Sequence, residues 1–214
     1  MSVIISIAHQ KGGVGKSTLA INLSSYFRRN EIDSAVVDAD VQGSITSLVQ
    51  TYGENNQFED IRLIPRTEFN SFTDLENRAE EVLIIDTPPY LSANLREIFA
   101  ISDYVLIPTK AGVFDMFAVE GTLDLVSEAL EIHPELKVGV VINMTNQSEK
   151  FRYEIRNHLQ EKNIDVFETE IYKRIEFQRS LLSGSIFSGS DWKAKSEITN
   201  LGEELLKKLQ NSDS

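Results

Sequence analysis

Residues 8–18 read AHQKGGVGKST, and this stretch decides the fold. It has the make-up of a phosphate-binding loop, but it departs from the general pattern G-x-x-x-x-G-K-[ST]. Counting back from Gly15, Lys16 and Ser17, the first glycine of that pattern falls on Gln10. In its place a second lysine, Lys11, stands just ahead of the glycines. An apolar run, Val3–Ile7, precedes the loop, and a helical pattern, Ser17–Arg29, follows it. Strand, loop and helix in that order are the context a phosphate loop requires. Gly12, Gly13 and Gly15, with Val14 between them, let the backbone turn tightly and aim its N–H groups at phosphate oxygens. The helix N-terminus adds its dipole and unpaired donors. Lys16 reaches outer phosphates, Ser17 offers a hydroxyl to Mg²⁺, and Thr18 offers a further donor.

Outward from the loop, short apolar runs alternate with longer amphipathic segments. The runs are Val3–Ile7, Ala35–Val37, Ile61–Ile64, Val82–Ile85, Tyr104–Ile107, Lys137–Ile142 and Val166–Ile171. Several are almost continuous in Val and Ile, as strands buried on both faces are. Helical patterns cover Ser17–Arg29, Ser44–Gln50, Ala93–Ala100, Phe117–Leu130, Glu149–Glu161 and Glu197–Leu209. The alternation implies one α/β domain over residues 1–214: a mostly parallel twisted sheet with helices on both faces, frayed only at "QNSDS".

Two aspartate signals stand where such a site needs them. "VVDADVQGS" puts Asp38 and Asp40 at the end of the second strand, and "VLIIDTPP" puts Asp86 at the end of another. Ligands of open α/β sheets bind beyond the carboxyl ends of the strands, so these carboxylates should meet the loop. Mg²⁺ favours carboxylate and water oxygens. Asp86 is the candidate to hold an Mg²⁺-bound water and Asp38 to support the same shell. Asp40 is placed to orient an attacking water in phosphoryl transfer. Capping the following helix is the other reading of Asp38 and Asp40.

Composition closes off other chemistry. With 214 residues and 41% hydrophobic content the chain can bury a sizeable core. It has no cysteine, which excludes disulfides, thiolate metal sites and cysteine-held iron–sulfur clusters. Its three histidines are far apart, so a histidine zinc cluster is not expected. No signal peptide or membrane span is read, which implies a cytoplasmic protein. The net charge of -12 argues against constitutive, indiscriminate nucleic-acid binding but allows a local basic patch. Between Ile171 and Lys195 the basic residues Lys173, Arg174, Arg179, Lys193 and Lys195 face only Glu176 and Asp191, a local balance of +3. Such an island is a candidate phosphate-contacting surface, unless its residues are scattered on solvated faces or paired with Glu168 and Glu170.

K-G-G-x-G-K-[ST], then D-x-D-x-Q, then a D-x-P-P-like strand end, together resemble the ParA/MinD family of deviant Walker-type ATPases. The likeness spans nearly the whole chain. Its length, with "VFDMFAVEG" and "FETEIYKRIEFQRSLLSGSIF", is similar to the small plasmid-partition, ParF-like group. Val41 and Tyr172 stand where members often have proline, and Ser17 replaces the commoner threonine while keeping the hydroxyl.

The resemblance implies ATP/ADP and Mg²⁺ as cofactors, with Lys11, Lys16 and Asp40 as the catalytic set. It implies that Lys11 crosses a two-fold interface to the partner's phosphates, so that ATP binding makes a sandwich homodimer. It further implies nonspecific DNA binding by that dimer, on the nucleoid, and a centromere-binding adaptor of the ParB/ParG type that stimulates hydrolysis. Asn143 resembles the family's adenine-reading asparagine, though an asparagine that satisfies a turn fits as well. Asp115 lies in a segment that faces the dimer partner in relatives, and its first reading is a helix cap. Trp192 is expected to pack as an anchor near the last helix. A MinD-like membrane cycle is the alternative, but Ile198, Leu201, Leu205 and Leu209 form a stripe better suited to packing on the sheet than to a membrane.

Overall fold

The expected sheet is present in the computed structural model, which describes residues 2–40, 42–53, 58–89, 93–146, 148 and 150–210. Val41 and the tail after Gln210 lie outside the described residues. The strands are β1 (Val3–Ile7), β2 (Ser34–Asp38), β3 (Leu63–Pro65), β4 (Val82–Asp86), β5 (Tyr104–Thr109) and β6 (Lys137–Ile142). They lie in the order β3-β2-β4-β1-β5-β6 and every pairing is parallel. The helices are α1 (Lys16–Arg29), α2 (Ser44–Tyr52), α3 (Ala93–Ala100), α4 (Val113–Ile132), α5 (Phe151–Glu161), α6 (Ile175–Ser180) and α7 (Trp192–Gln210).

Successive side chains of a strand point to opposite faces, so each apolar run feeds two cores. Ile4, Val37, Ile85 and Val105 pack on one face with α3, α4 and α5. Ile5, Ile7, Val36, Ile84 and Leu106 pack on the other with α1 and α7. In α7, Ile198, Leu201 and Leu205 are fully buried, and Gly202 meets the Tyr26 ring of α1 so closely that a β-carbon would collide with it. The apolar stripe of the last helix is therefore committed to the core. Among the described residues no helix is long and apolar enough to cross a membrane.

Two expectations need correction, and one element is new. Val166–Ile171 is not a strand: among the described residues it makes an isolated bridge, Val166 with Val140, and a second follows it, Tyr172 with Thr145. Between them the Glu168 and Thr169 N–H groups donate to the Glu204 carboxylate of α7, at 2.8 and 3.0 Å, so a side chain replaces the ladder. The α6 turn was not expected, because its six residues are too few to show a period. Trp192 is no buried anchor. It opens α7 and is 70% exposed.

Candidate phosphate-binding site

The strand order brings the site together. Asp38 and Asp86 are register partners on β2 and β4, and Ile7, the last residue of β1, is the register partner of Asp86. The loop after β1 thus leaves the sheet beside both carboxylates. Gly13 and Gly15 adopt positive φ of 72° and 94°, a conformation that strains any residue bearing a β-carbon. Gly15 is the N-cap of α1 and lies against the Asn143 amide.

Lys16 is buried, and among the described residues its Nζ donates to backbone carbonyls, those of His9 and Lys11, at 3.4 and 3.3 Å. Burial lowers its pKa, while the Asp86 and Asp40 charges pull it back up. Ser17 Oγ donates to Asp86 Oδ2 at 2.6 Å. Asp86 is buried, which raises its pKa; the Ser17 hydroxyl and Lys16 oppose that rise, and Asp38 and Asp40 add to it. Its other oxygen, Oδ1, is buried without a hydrogen bond among the described residues, and so is Asp38 Oδ1. Asp38 Oδ2 accepts from the Thr46 N–H and hydroxyl, both at 2.8 Å, so Asp38 also holds the first turn of α2. Asp40 is half-buried; it accepts the Gln42 N–H at 2.9 Å in a tight turn.

A hydroxyl and two spare carboxylate oxygens form a hard-donor set that suits Mg²⁺. Among the described residues no group of three His, Asp or Glu could cage a metal.

Lys11 points away from the loop's interior. Its Nζ pairs with Asp115 Oδ1 at 3.1 Å and stands 5.8 Å from the Phe114 ring centre. Asp115 is the third residue of α4, whose N-cap is Gly112, so it is an ion-pair partner rather than the expected cap. Nothing local marks this pair, whose members lie far apart in the chain. Sequence reasoning also missed His9. Its Nδ1 accepts the Lys11 N–H at 3.0 Å, and its Nε2 is buried with no partner among the described residues. Burial, with Lys16 next in effect, lowers its pKa to about 4.

Asn143 donates from Nδ2 to the Val14 carbonyl at 2.6 Å and accepts the Met144 N–H at 2.9 Å. Both polar atoms are engaged by the chain, so Asn143 ties the end of β6 to the loop. Reading a base would require exchanging these bonds. Thr18 and Asn143 line a cleft beside the loop, with Tyr172, Lys173, Arg174 and Phe177 among its other walls. The basic island divides in two. Arg174 is clasped by Glu197, at 2.9 and 2.5 Å, and Arg179 pairs with Glu176 at 3.5 Å. Lys173, Lys193 and Lys195 have no ion pair among the described residues.

Several known proteins are similar to this chain over most of its length. The Maintenance of carboxysome distribution protein A of Halothiobacillus neapolitanus is 23% identical over 192 residues, covering 86% of this chain and 86% of that protein. The Chromosome partitioning protein ParA of Myxococcus xanthus is 27% identical over 257 residues, covering 96% and 88%. A putative plasmid partition protein from Borrelia burgdorferi B31, solved bound to AMPPNP, shares the fold with a TM-score of 0.77 at 23% identity, covering 97% of this chain and 100% of that one. The model of the CobQ/CobB/MinD/ParA nucleotide binding domain matches residues 5–187, from within β1 almost to α7, and the chain belongs to that family.

Proposed function

We propose that this chain is an ATP-hydrolysing switch of the DNA-segregation type. The observation that carries the reading is the division of labour between two lysines on one loop. Lys16 is buried against the loop's own carbonyls, where the phosphates of a bound ATP would lie. Lys11 is 38% exposed and faces outward. Around it, α4 presents Val113, Phe114 and Phe117 to solvent, with Phe114 77% exposed. Large apolar side chains around an outward cation suit an interface with a second copy, in which each Lys11 reaches the partner's phosphates.

Gly12–Thr18 would cradle the phosphates with backbone N–H groups and the Lys16 charge. Ser17 Oγ and Asp86, with Asp38 beside it, would hold Mg²⁺, which neutralises phosphate charge. Asp40 orients the water whose oxygen forms the new bond to the γ-phosphorus as the bond to the ADP oxygen breaks. Lys11 stabilises the transition-state charge in trans, as an arginine finger does. The ATP dimer binds DNA without regard to sequence, and a centromere-bound adaptor of the ParB/ParG kind stimulates hydrolysis and release. The carboxysome-distributing relative favours a second reading, the same cycle serving a cargo other than DNA. A membrane-cycling role has less support, since the stripe of α7 is buried.

Sedimentation with Mg·ATP tests this reading. Wild type should dimerise with ATP and not with ADP. Lys16→Ala should lose nucleotide binding, and Lys11→Ala should bind ATP as a monomer. A Lys11→Ala protein that dimerises as readily as wild type would refute the trans role.

A further inference from the structure

We propose that His9 is a positioning residue for Lys11: its imidazole fixes the stretch of backbone from which that lysine is presented to a partner subunit. This rests on the trans role of Lys11 proposed above. His9 stands between the end of β1 and the glycines of the loop, and it is fully buried. Its Nδ1 accepts the Lys11 N–H at 3.0 Å, and its backbone carbonyl accepts from Lys16 Nζ at 3.4 Å. His9 thus touches both lysines, one through its ring and the other through its main chain.

The surroundings hold the ring in one state. Burial and the Lys16 charge keep it neutral at pH 7. A neutral imidazole has one acceptor nitrogen and one N–H. Since Nδ1 accepts, Nε2 carries the proton, and Nε2 is buried with no partner among the described residues. A bare buried donor is costly, and such groups call for a reason. The other tautomer would turn a proton on Nδ1 against the Lys11 N–H. The chain keeps the bare donor instead, and the Nδ1 lone pair stays on Lys11.

That bond matters most once nucleotide arrives. In the free chain the Lys16 ammonium lies against the carbonyls of His9 and Lys11 and so pins both ends of this short segment. Phosphates draw the ammonium away from both carbonyls. Lys11 must also give up Asp115 to reach across an interface. The ring bond then remains to fix the Lys11 backbone. A lysine side chain is a flexible four-carbon stem, and a loose backbone beneath it would add freedom that the trans contact must remove. Holding the backbone in advance lowers that cost.

A purely structural ring predicts a different pattern. If the ring served the shape of the phosphate cradle, its loss would weaken nucleotide binding by the single chain. A ring that positions Lys11 leaves that binding alone and strengthens the dimer.

The test compares wild type, His9→Ala and His9→Asn. Calorimetry with Mg·ADP reads the cradle, and sedimentation with Mg²⁺ and a non-hydrolysable ATP analogue reads the dimer. His9→Ala should bind Mg·ADP as wild type does. Its dimer dissociation constant should rise by about ten-fold or more, because one hydrogen bond is lost in each of two subunits. His9→Asn should recover most of that loss, since its carboxamide oxygen can accept the N–H two residues on. In wild type, nitrogen NMR of the imidazole at pH 7 should find the proton on Nε2 with and without the ATP analogue, the His133 and His158 signals being assigned by removing each in turn.

Lost Mg·ADP affinity in His9→Ala would make the ring a support of the cradle and overturn the proposal. So would a His9→Ala protein that dimerises as wild type does, or a His9→Asn protein as weak as His9→Ala. A proton on Nδ1 in the ATP-bound state would overturn it as well, and that measurement needs no His9 variant to fold. All four results leave the trans role of Lys11 standing. Wild type that stays monomeric with the ATP analogue overturns the trans role itself, and the positioning role with it.

Discussion

Acid should loosen this protein through His9. In the folded chain burial and Lys16, with Lys11, oppose a proton on the ring, and Asp115 favours one; the pKa falls from 6.5 to about 4. The folded value lies below the unfolded one, so between them the unfolded chain binds the proton and the folded chain does not. The stability contributed by neutral His9 is therefore fully present above pH 6.5 and is lost as pH falls toward 4. The fall from 6.5 to about 4 corresponds to about 3 kcal/mol, of which about 2 kcal/mol is gone at pH 5. For a chain of this size that lowers Tm by about 4–8 °C.

His9→Asn is the matched control, because its carboxamide oxygen can accept the same N–H two residues on without titrating. Thermal melts of both proteins at pH 7 and pH 5 subtract the contribution of every carboxylate they share. Wild type should lose about 4–8 °C more than the variant. Parallel losses would refute the claim that a neutral, buried imidazole supports the loop at Lys11.

Two more predictions follow from the same site. Asp86 has a folded pKa above its unfolded one, so its ionisation opposes folding as pH rises above the ordinary carboxylate range. Asp86→Asn should therefore melt no lower than wild type at pH 8 without nucleotide, yet lose about 10- to 100-fold in Mg²⁺-dependent ATP affinity by calorimetry; a lower melting point would contradict the burial argument. Asp115→Asn should release Lys11, and since a partly exposed pair is worth about 0.2–1 kcal/mol, the ATP concentration for half-dimerisation should fall by no more than about five-fold. Sedimentation across an ATP series measures that change, and a variant that dimerises less readily would make Asp115 part of the interface rather than a restraint.

What could be read in the sequence was what depends on neighbours in the chain. β2, β4 and β5 are apolar on both faces, so their runs are continuous, three or four residues long, and the strands fall there within one or two residues. The loop is legible because Gly13, Gly15, Lys16 and Ser17 act through local backbone geometry. Contacts between distant segments were not legible. Asp115 resembles a cap until α4 is seen to start at Val113 and its carboxylate is found on Lys11. Val166–Ile171 has strand composition, but the Glu168 and Thr169 N–H groups at its centre are diverted to Glu204, a choice made by where α7 docks. Trp192 has the size of an anchor, yet the ring lies outside the core that Ala194 and Ile198 enter.

The surroundings of the two lysines set an order of events. Lys16 is held by two carbonyl oxygens at 3.3 and 3.4 Å, neither of them charged, inside a pocket that penalises its charge. A triphosphate offers it full negative charge in exchange for two weak bonds, so binding by the single chain is downhill without help from a partner. Lys11 starts from a different state, paired to a carboxylate in cis at 3.1 Å. One phosphate contact in place of that pair gains little, and the exchange becomes favourable only where water is also excluded. In the proposed dimer, a second copy closing over Phe114 and Phe117 would supply that exclusion. Nucleotide binding should therefore precede dimerisation, and loss of the γ-phosphate, which removes charge from the trans contact, should release Lys11 to Asp115 before ADP leaves Lys16.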